Sequence, residues 1–210
     1  MIVTLTGPSC AGKSTLEKML VKLGFSNAIS TTTRMMREGE VNGEAYYFVT
    51  RENFEFGLAL DEFVENVEFG GNYYGLTVAE VKRLEALGKP IVVVCEPIGQ
   101  KQIAAWCKDN GFPLFSVFID NPELVIAERF MLRSADDLID THLGYPDMVN
   151  AKISGYARRM KEMMTTERAW VAEAWASELY NLRVSEFNEA NGDEIAEIIK
   201  GVAFKEAQPA

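Results

Sequence analysis

Histidine and cysteine are scarce in this chain of 210 residues, and positive charge is well outnumbered by negative. It carries a single histidine and three cysteines (Cys10, Cys95 and Cys107) without metal-ligand spacing, which argues against a structural zinc site. The odd cysteine count suits a reducing compartment, so a cytoplasmic location is expected. Lysine and arginine number 21 against 31 acidic residues, a net charge of −10. Such a surface repels a nucleic-acid polymer. It still leaves room for a small anion in a locally basic pocket. No run reaches the roughly 18–20 apolar residues that span a bilayer, so no membrane partner is expected. The first residues show no basic stretch ahead of an apolar one, as a signal peptide would. Repeats and low-complexity runs are also missing, and only 205–210 reads as disordered. What remains is 48% hydrophobic and 25% charged residues, ordinary for a globular enzyme. The length suits one α/β domain with a small insertion. It leaves monomer and homodimer both open.

The chain begins with a short β-branched run, 2–6, that reads as a buried strand. A glycine-rich turn follows, then Leu16, Met19, Leu20 and Leu23 at helical spacing. The texture changes over 26–75. Short strand candidates at 46–49, 62–69 and 73–74 alternate with polar loops, and Gly70-Gly71-Asn72 reads as a hairpin turn. Thr50 is placed to cap a short helix. Thr77 with Glu80 forms a capping-box pattern opening a helix to residue 87. Strands are expected at 90–95, 114–119 and 179–184. Helices are expected at 100–109, from Asn121-Pro122 to Arg133, over 148–177 as one long element, and at 193–202. An acidic stretch, 134–147, reads as less regular. The sum is four or five parallel strands with helices on both sides.

Gly7-Pro8-Ser9-Cys10-Ala11-Gly12-Lys13-Ser14 fits G-x-x-x-x-G-K-[ST], with a strand before it and a helix after it. In such a loop, successive backbone N–H groups and the helix N-terminus hold phosphate oxygens. Lys13 would reach the β- and γ-phosphates, and the Ser14 hydroxyl would ligate magnesium brought with ATP. Thr15 completes the expected ATP-binding run. Further on, Arg34 and Arg37 precede Tyr46, and Gly71-Asn72-Tyr73-Tyr74-Gly75 follows. Arginine grips phosphate through paired hydrogen bonds, and a tyrosine hydroxyl adds a donor. Taken alone, these residues read equally as solvated side chains in a polar loop.

Together, the loop beginning Gly7-Pro8-Ser9, the stretch from Ser30 through Arg34, Arg37, Gly39-Glu40, Gly43 and Tyr46 to Phe48-Val49, Phe63-Val64-Glu65, and Gly71 to Gly75 resemble guanylate kinase. The resemblance is in order over residues 2 to about 100 and traceable to about 170. It implies a P-loop three-layer α/β/α fold with a central parallel sheet. A small, mostly antiparallel nucleoside-monophosphate insertion and a helical lid complete it. The implied division is a core of 1–29, 76–130 and 160–204, an insertion of 30–75 and a lid of approximately 131–159. It implies ATP-dependent phosphorylation of GMP or dGMP, with Mg2+. Arg34, Arg37, Tyr46 and Tyr74 would hold the acceptor phosphate, and Ser30 and Glu65 would read guanine. Glu65 also makes independent chemical sense, because guanine presents two adjacent donors that a carboxylate accepts as a pair. Glu96 aligns with an acidic position near the acceptor and the magnesium shell. Arg129 and Arg133 would act with Lys13 and Arg34 in catalysis by neutralising the transferring group, with Arg158 or Arg159 as a third lid arginine.

Four departures stand out. Cys10 occupies a usual glycine position, so a slightly altered loop backbone is expected. Leu76 replaces a small hydroxyl residue, which removes an expected hydrogen bond to the base. Val94 replaces a frequent second acid. The stretch 134–152 is longer than a usual lid and carries Asp136, Asp137, Asp140 and Asp147. Rival readings are a kinase of broad acceptor range, another small-molecule kinase on the same scaffold, and an inactive protein-binding module. Retention of Lys13 and the loop glycines weighs against the last.

Overall fold

The computed structural model describes residues 1–37, 39–139 and 146–206. Strand β1, Ile2–Thr6, is wholly buried and leads through the glycine-rich loop into α1, Lys13–Lys22. Then come β2 (Ser26–Asn27), β3 (Thr31–Thr32), β4 (Tyr47–Phe48), α2 (Arg51–Ala59), β5 (Phe63–Phe69) and β6 (Asn72–Thr77). Helix α3 (Val78–Glu85), β7 (Ile91–Val94), α4 (Pro97–Asp109), β8 (Leu114–Ile119) and α5 (Glu123–Ile139) follow. Helices α6 (Pro146–Met164) and α7 (Thr166–Ala176), β9 (Leu182–Val184) and α8 (Glu189–Glu206) complete the order.

Two sheets result. The larger is parallel throughout, in the order β2-β7-β1-β8-β9. Its alternating side chains build two cores, as the two-residue period of a strand requires. Val3, Leu5, Val92, Val117 and Ile119 pack with Leu16, Leu20 and Ile199 of α1 and α8 on one face. Ile2, Ile91 and Val93 pack with Val81, Leu84 and Ile103 of α3 and α4 on the other. The smaller sheet, β4-β3-β6-β5, is antiparallel except for the β3–β4 pair. A two-residue turn joins β5 to β6 with φ of 59° at Gly70 and 76° at Gly71. Positive φ at both positions is what a tight hairpin of matching twist needs, and glycine adopts it freely.

Several sequence expectations are corrected. The fifth strand of the main sheet is Ser26–Asn27, too short and polar to show a period, and β3 escaped notice for the same reason. The expected single helix over 148–177 is two helices. At Thr165 (φ −118°, ψ −79°) the Oγ1 donates to Lys161 O at 2.7 Å, and the backbone N–H reaches Glu162 O at 3.3 Å. Such back-bonding by a β-branched residue competes with the helix ladder. Helix α5 runs through the expected irregular stretch as far as Ile139. The side chains of Asp136, Asp137, Asp140 and Asp147 lie outside the described residues. Helix α8 is longer at both ends than 193–202 and includes Lys205 and Glu206; 207–210 lie outside the described residues. The last strand is shorter than expected, three residues rather than six.

Both expected helix caps form, with Thr50 accepting from Asn53 N and Thr77 from Glu80 N. The reciprocal half of the second capping box does not. Glu80 instead turns inward, taking bonds from Ile29 N and Tyr47 Oη and an ion pair from Arg83. It thereby joins the insertion to α3.

Candidate active site

The ends of three adjacent strands meet at one place. The phosphate loop follows β1, Cys95-Glu96 follows β7, and Asp120-Asn121 follows β8. The carboxyl edge of a parallel sheet is where α/β proteins hold ligands. Gly7, with φ 148°, sits so close to β8 that a Cβ there would lie 2.0 Å from Ile119 O. Cys10 takes φ 61°. This left-handed conformation costs a side-chain-bearing residue about 1–2 kcal/mol, and glycine almost nothing. The expected alteration of the loop is therefore one of packing: the Cys10 side chain lies against Ile126, Phe130 and Met163. Asn121 Nδ2 donates to Ala11 O at 2.8 Å and ties the loop to the start of α5.

Lys13 Nζ donates to Gly7 O at 2.7 Å and Pro8 O at 2.8 Å, across the mouth of the loop. Burial lowers its ammonium pKa to about 8, while Glu167 and Glu96 pull the other way. A cavity of about 410 Å³ opens on one side of it, lined by Ser9, Cys10 and Gly12 to Thr15 of the loop with Arg129, Arg133 and Asn188. Arg129 is engaged with backbone, donating to Phe187 O at 2.8 Å and to Cys10 O at 3.2 Å. It braces the loop. Arg133 reaches both this cavity and another, about 710 Å³, which it shares with Arg37 of the β3–β4 loop and with Lys152 and Arg159 of α6.

On the other side of Lys13 lies a cavity of about 350 Å³. Ser30, Tyr46, Glu65, Tyr74 and Glu96 all line it, so five expected acceptor residues from five chain segments converge. Glu65, Val67 and Phe69 present one face of β5 to it, two residues apart. A register shift in the β5–β6 pairing between Phe63 and Glu65 precedes the carboxylate. Glu65 is buried, and burial raises its pKa to about 7, opposed by the Leu76 backbone N–H. Glu96 is also raised, first by burial and then by Glu167. Gly99 of α4 lies so close that a Cβ would stand 2.8 Å from Glu65 Oε2.

Other expected residues are placed differently. Arg34 is held by Glu40 at 2.8 and 3.0 Å, with its guanidinium 5.4 Å from the Tyr46 ring centroid. Arg37 is exposed and lines the large basic cavity rather than the cavity around Glu65. Leu76 is fully buried in the core with Val64 and Val81, and its side chain is not on the cavity wall. Val94 does line that wall. Of the two candidates for a third lid arginine, Arg158 is exposed, whereas Arg159 pairs with Glu167 at 2.5 Å and donates to Ser9 Oγ.

The guanylate kinase family model matches residues 1–140, two thirds of the chain. The chain belongs to the guanylate kinase family. A guanylate kinase of Mycoplasmopsis pulmonis is 38% identical over 140 residues, covering 65% of this chain and 71% of that protein. One from Wolinella succinogenes is 35% identical over 186 residues, covering 84% of each. For three further relatives the match spans 60–64% of their length. A solved guanylate kinase of Anaplasma phagocytophilum shares the fold, with a TM-score of 0.61 at 22% identity over 99% of this chain and 88% of that one. As a family member the chain is a nucleotide-binding kinase with a P-loop. None of its described helices is long and apolar enough to cross a membrane.

Sequence reasoning missed Glu167 and Trp170, which also line the cavity around Glu65. Both lie on α7, beyond the stretch the guanylate kinase model matches. Their only sequence signal was a Thr165-Thr166 pair inside an apparently continuous helix, which marks the break that aims α7 at the loop.

Proposed function

We propose that this protein transfers the γ-phosphoryl group of ATP to GMP or dGMP. The observation that carries the reading is that two cavities, one on the phosphate loop and one around Glu65, share Ser9 and Lys13. ATP would lie in the first, with the backbone of 7–14 around its phosphates and Thr15 beyond. GMP would lie in the second. Ser30 and Glu65 would read the base, and Tyr46, Tyr74 and Arg34 would hold the phosphate. Guanine offers N1–H and its 2-amino group, and an ionised Glu65 accepts both.

Arg34 would exchange Glu40 for the acceptor phosphate, and Arg37 and Arg133 would approach as insertion (30–75) and lid (131–159) close over the core. Closure excludes water and suppresses hydrolysis. No general base is required, because the attacking phosphate oxygen is already an anion. Positioning and charge neutralisation by Lys13, Arg129 and Arg133 supply most of the catalysis. Ser14 is exposed at the loop's end, beside Lys13, and would hold a magnesium ion carried in by ATP. The described residues contain no cluster of three carboxylate, cysteine or histidine ligands, which suits an ion held chiefly by the nucleotide. That ion would neutralise charge on the β- and γ-phosphates.

One observation favours a second reading, a broader acceptor range. A carboxyl group with a pKa of about 7 is partly protonated at neutral pH, and its O–H then offers a donor to bases with an acceptor at that edge. A coupled assay of ADP release, with ATP and a panel of ribo- and deoxynucleoside monophosphates, tests both. Selective turnover of GMP or dGMP is expected. Equal turnover of AMP and GMP at about pH 8, where Glu65 is ionised, would refute guanine selection.

A further inference from the structure

Glu167 is a carboxylate with almost no solvent contact, its side chain 2% exposed. Burying such a charge is costly unless several donors meet it. Three do. Ser9 N–H donates to Oε2 at 2.6 Å, Ser9 Oγ–H to Oε1 at 3.3 Å, and Arg159 pairs with Oε1 at 2.5 Å. The acid sits in the first turn of α7, where the helix dipole favours it. The helix itself is anchored by the next residue, Arg168, which pairs with Asp120 just after β8 at 2.8 Å and with Glu123 at the start of α5 at 3.2 Å.

The consequences run in two directions. Ser9 follows Gly7 and Pro8, whose carbonyls hold Lys13. A shift of Ser9 therefore moves the groups that aim the lysine. On the other side, Arg159 also pairs with Glu162 at 2.9 Å and lies 5.4 Å from the Phe69 ring centroid on β5. One carboxylate thus links phosphate loop, helix α6 and insertion at the point where the two nucleotide cavities meet.

We propose that Glu167 is a positioning residue for phosphoryl transfer, setting the phosphate loop through Ser9 and the guanidinium of Arg159 in one geometry. The proposal rests on the ATP-to-nucleotide reading above. It assigns a transfer-site role to α7, which supplies nothing the sequence motifs pointed to.

The test uses the full chain and the variants Glu167→Gln, Glu167→Asp and Arg159→Lys, with Glu167→Gln combined with Arg159→Lys as a double variant. Steady-state kinetics are measured with ATP and GMP, and binding of a non-hydrolysable ATP analogue by calorimetry. Glu167→Gln keeps the side chain's size and one acceptor but loses the charge. A misplacement near 1 Å costs up to about 100-fold in rate, so kcat should fall roughly 10- to 100-fold. The KM for GMP should stay within about twofold, because binding at Glu65 is untouched. Glu167→Asp should recover part of kcat, and the double variant should lose less than the product of the two single losses. An unchanged kcat in Glu167→Gln, or fully multiplicative losses, would overturn the proposal.

If Glu167→Gln does not fold, Glu167→Asp is judged by the same readouts, and wild-type kcat in it overturns the proposal. If the wild type phosphorylates no nucleotide, the functional reading fails by itself. The positioning role then stands or falls on whether Glu167→Gln weakens the ATP analogue at least about threefold, a change of roughly 0.7 kcal/mol.

Discussion

Replacing Glu65 by Gln separates two effects of one buried carboxylate. Its pKa is about 7 in the folded protein against an ordinary 4.5, because burial disfavours the charge. The folded state therefore binds this proton more tightly than the unfolded state does. The resulting stability is fully present below about pH 4.5 and is lost as pH rises through about 7, amounting to roughly 3 kcal/mol. Under the proposed function, guanine binding would have the opposite sign, since only the ionised acid accepts both base donors. Binding must expel the proton, so guanine affinity should fall about tenfold between about pH 8 and about pH 6.

Guanosine is the ligand of choice, because the phosphate of GMP titrates near pH 6 itself. Calorimetry on wild type and Glu65→Gln should show the slope in the first and a flat profile in the second. At about pH 8 the variant should bind guanosine about 100-fold more weakly, from losing charge-assisted hydrogen bonds worth about 1.5–3 kcal/mol. Urea unfolding should show the stability of the variant relative to wild type rising between about pH 5 and about pH 8, because only the wild type loses the contribution of the Glu65 proton. A pH-independent guanosine affinity in the wild type would refute the reasoning. So would an identical slope in the variant.

Three further outcomes are expected. Lys13→Met should reduce transfer at least about 100-fold while the melting temperature barely moves; near-normal turnover would end the phosphate-loop assignment. Gly99→Ala places a methyl 2.8 Å from Glu65 Oε2, so KM for GMP should rise about tenfold with KM for ATP unchanged. Steady-state kinetics with each substrate varied in turn will detect a rise in both, which would count against the close approach. At Cys10, glycine should be more stable than alanine by about 1 kcal/mol in urea unfolding, because alanine keeps the left-handed strain and glycine relieves it.

The main strands were legible because each is an apolar run with turn residues at its ends. The predicted 2–6 and 114–119 match β1 and β8 residue for residue. The phosphate loop was legible because its function requires backbone geometry that few residues tolerate. The convergence of Ser30, Tyr46, Glu65, Tyr74 and Glu96 followed from resemblance, since they lie on five separate segments and no local period links them.

What the sequence by itself determined is therefore the local chemistry: a strand, a glycine-rich turn, a lysine and a cap can each be read within a few residues. Only the tertiary structure decided which groups face which. Glu80 kept its capping N–H bond but sent its carboxylate inward to Ile29 and Tyr47, because those donors were buried beside it. Leu76 went to the core because Val64 and Val81 surround it. Glu167 came to the loop because a Thr165 side chain broke a helix and an Arg168 pair anchored the next one. Contacts between residues more than a hundred positions apart depend on the packing of every element between them, and no short window of sequence carries that information.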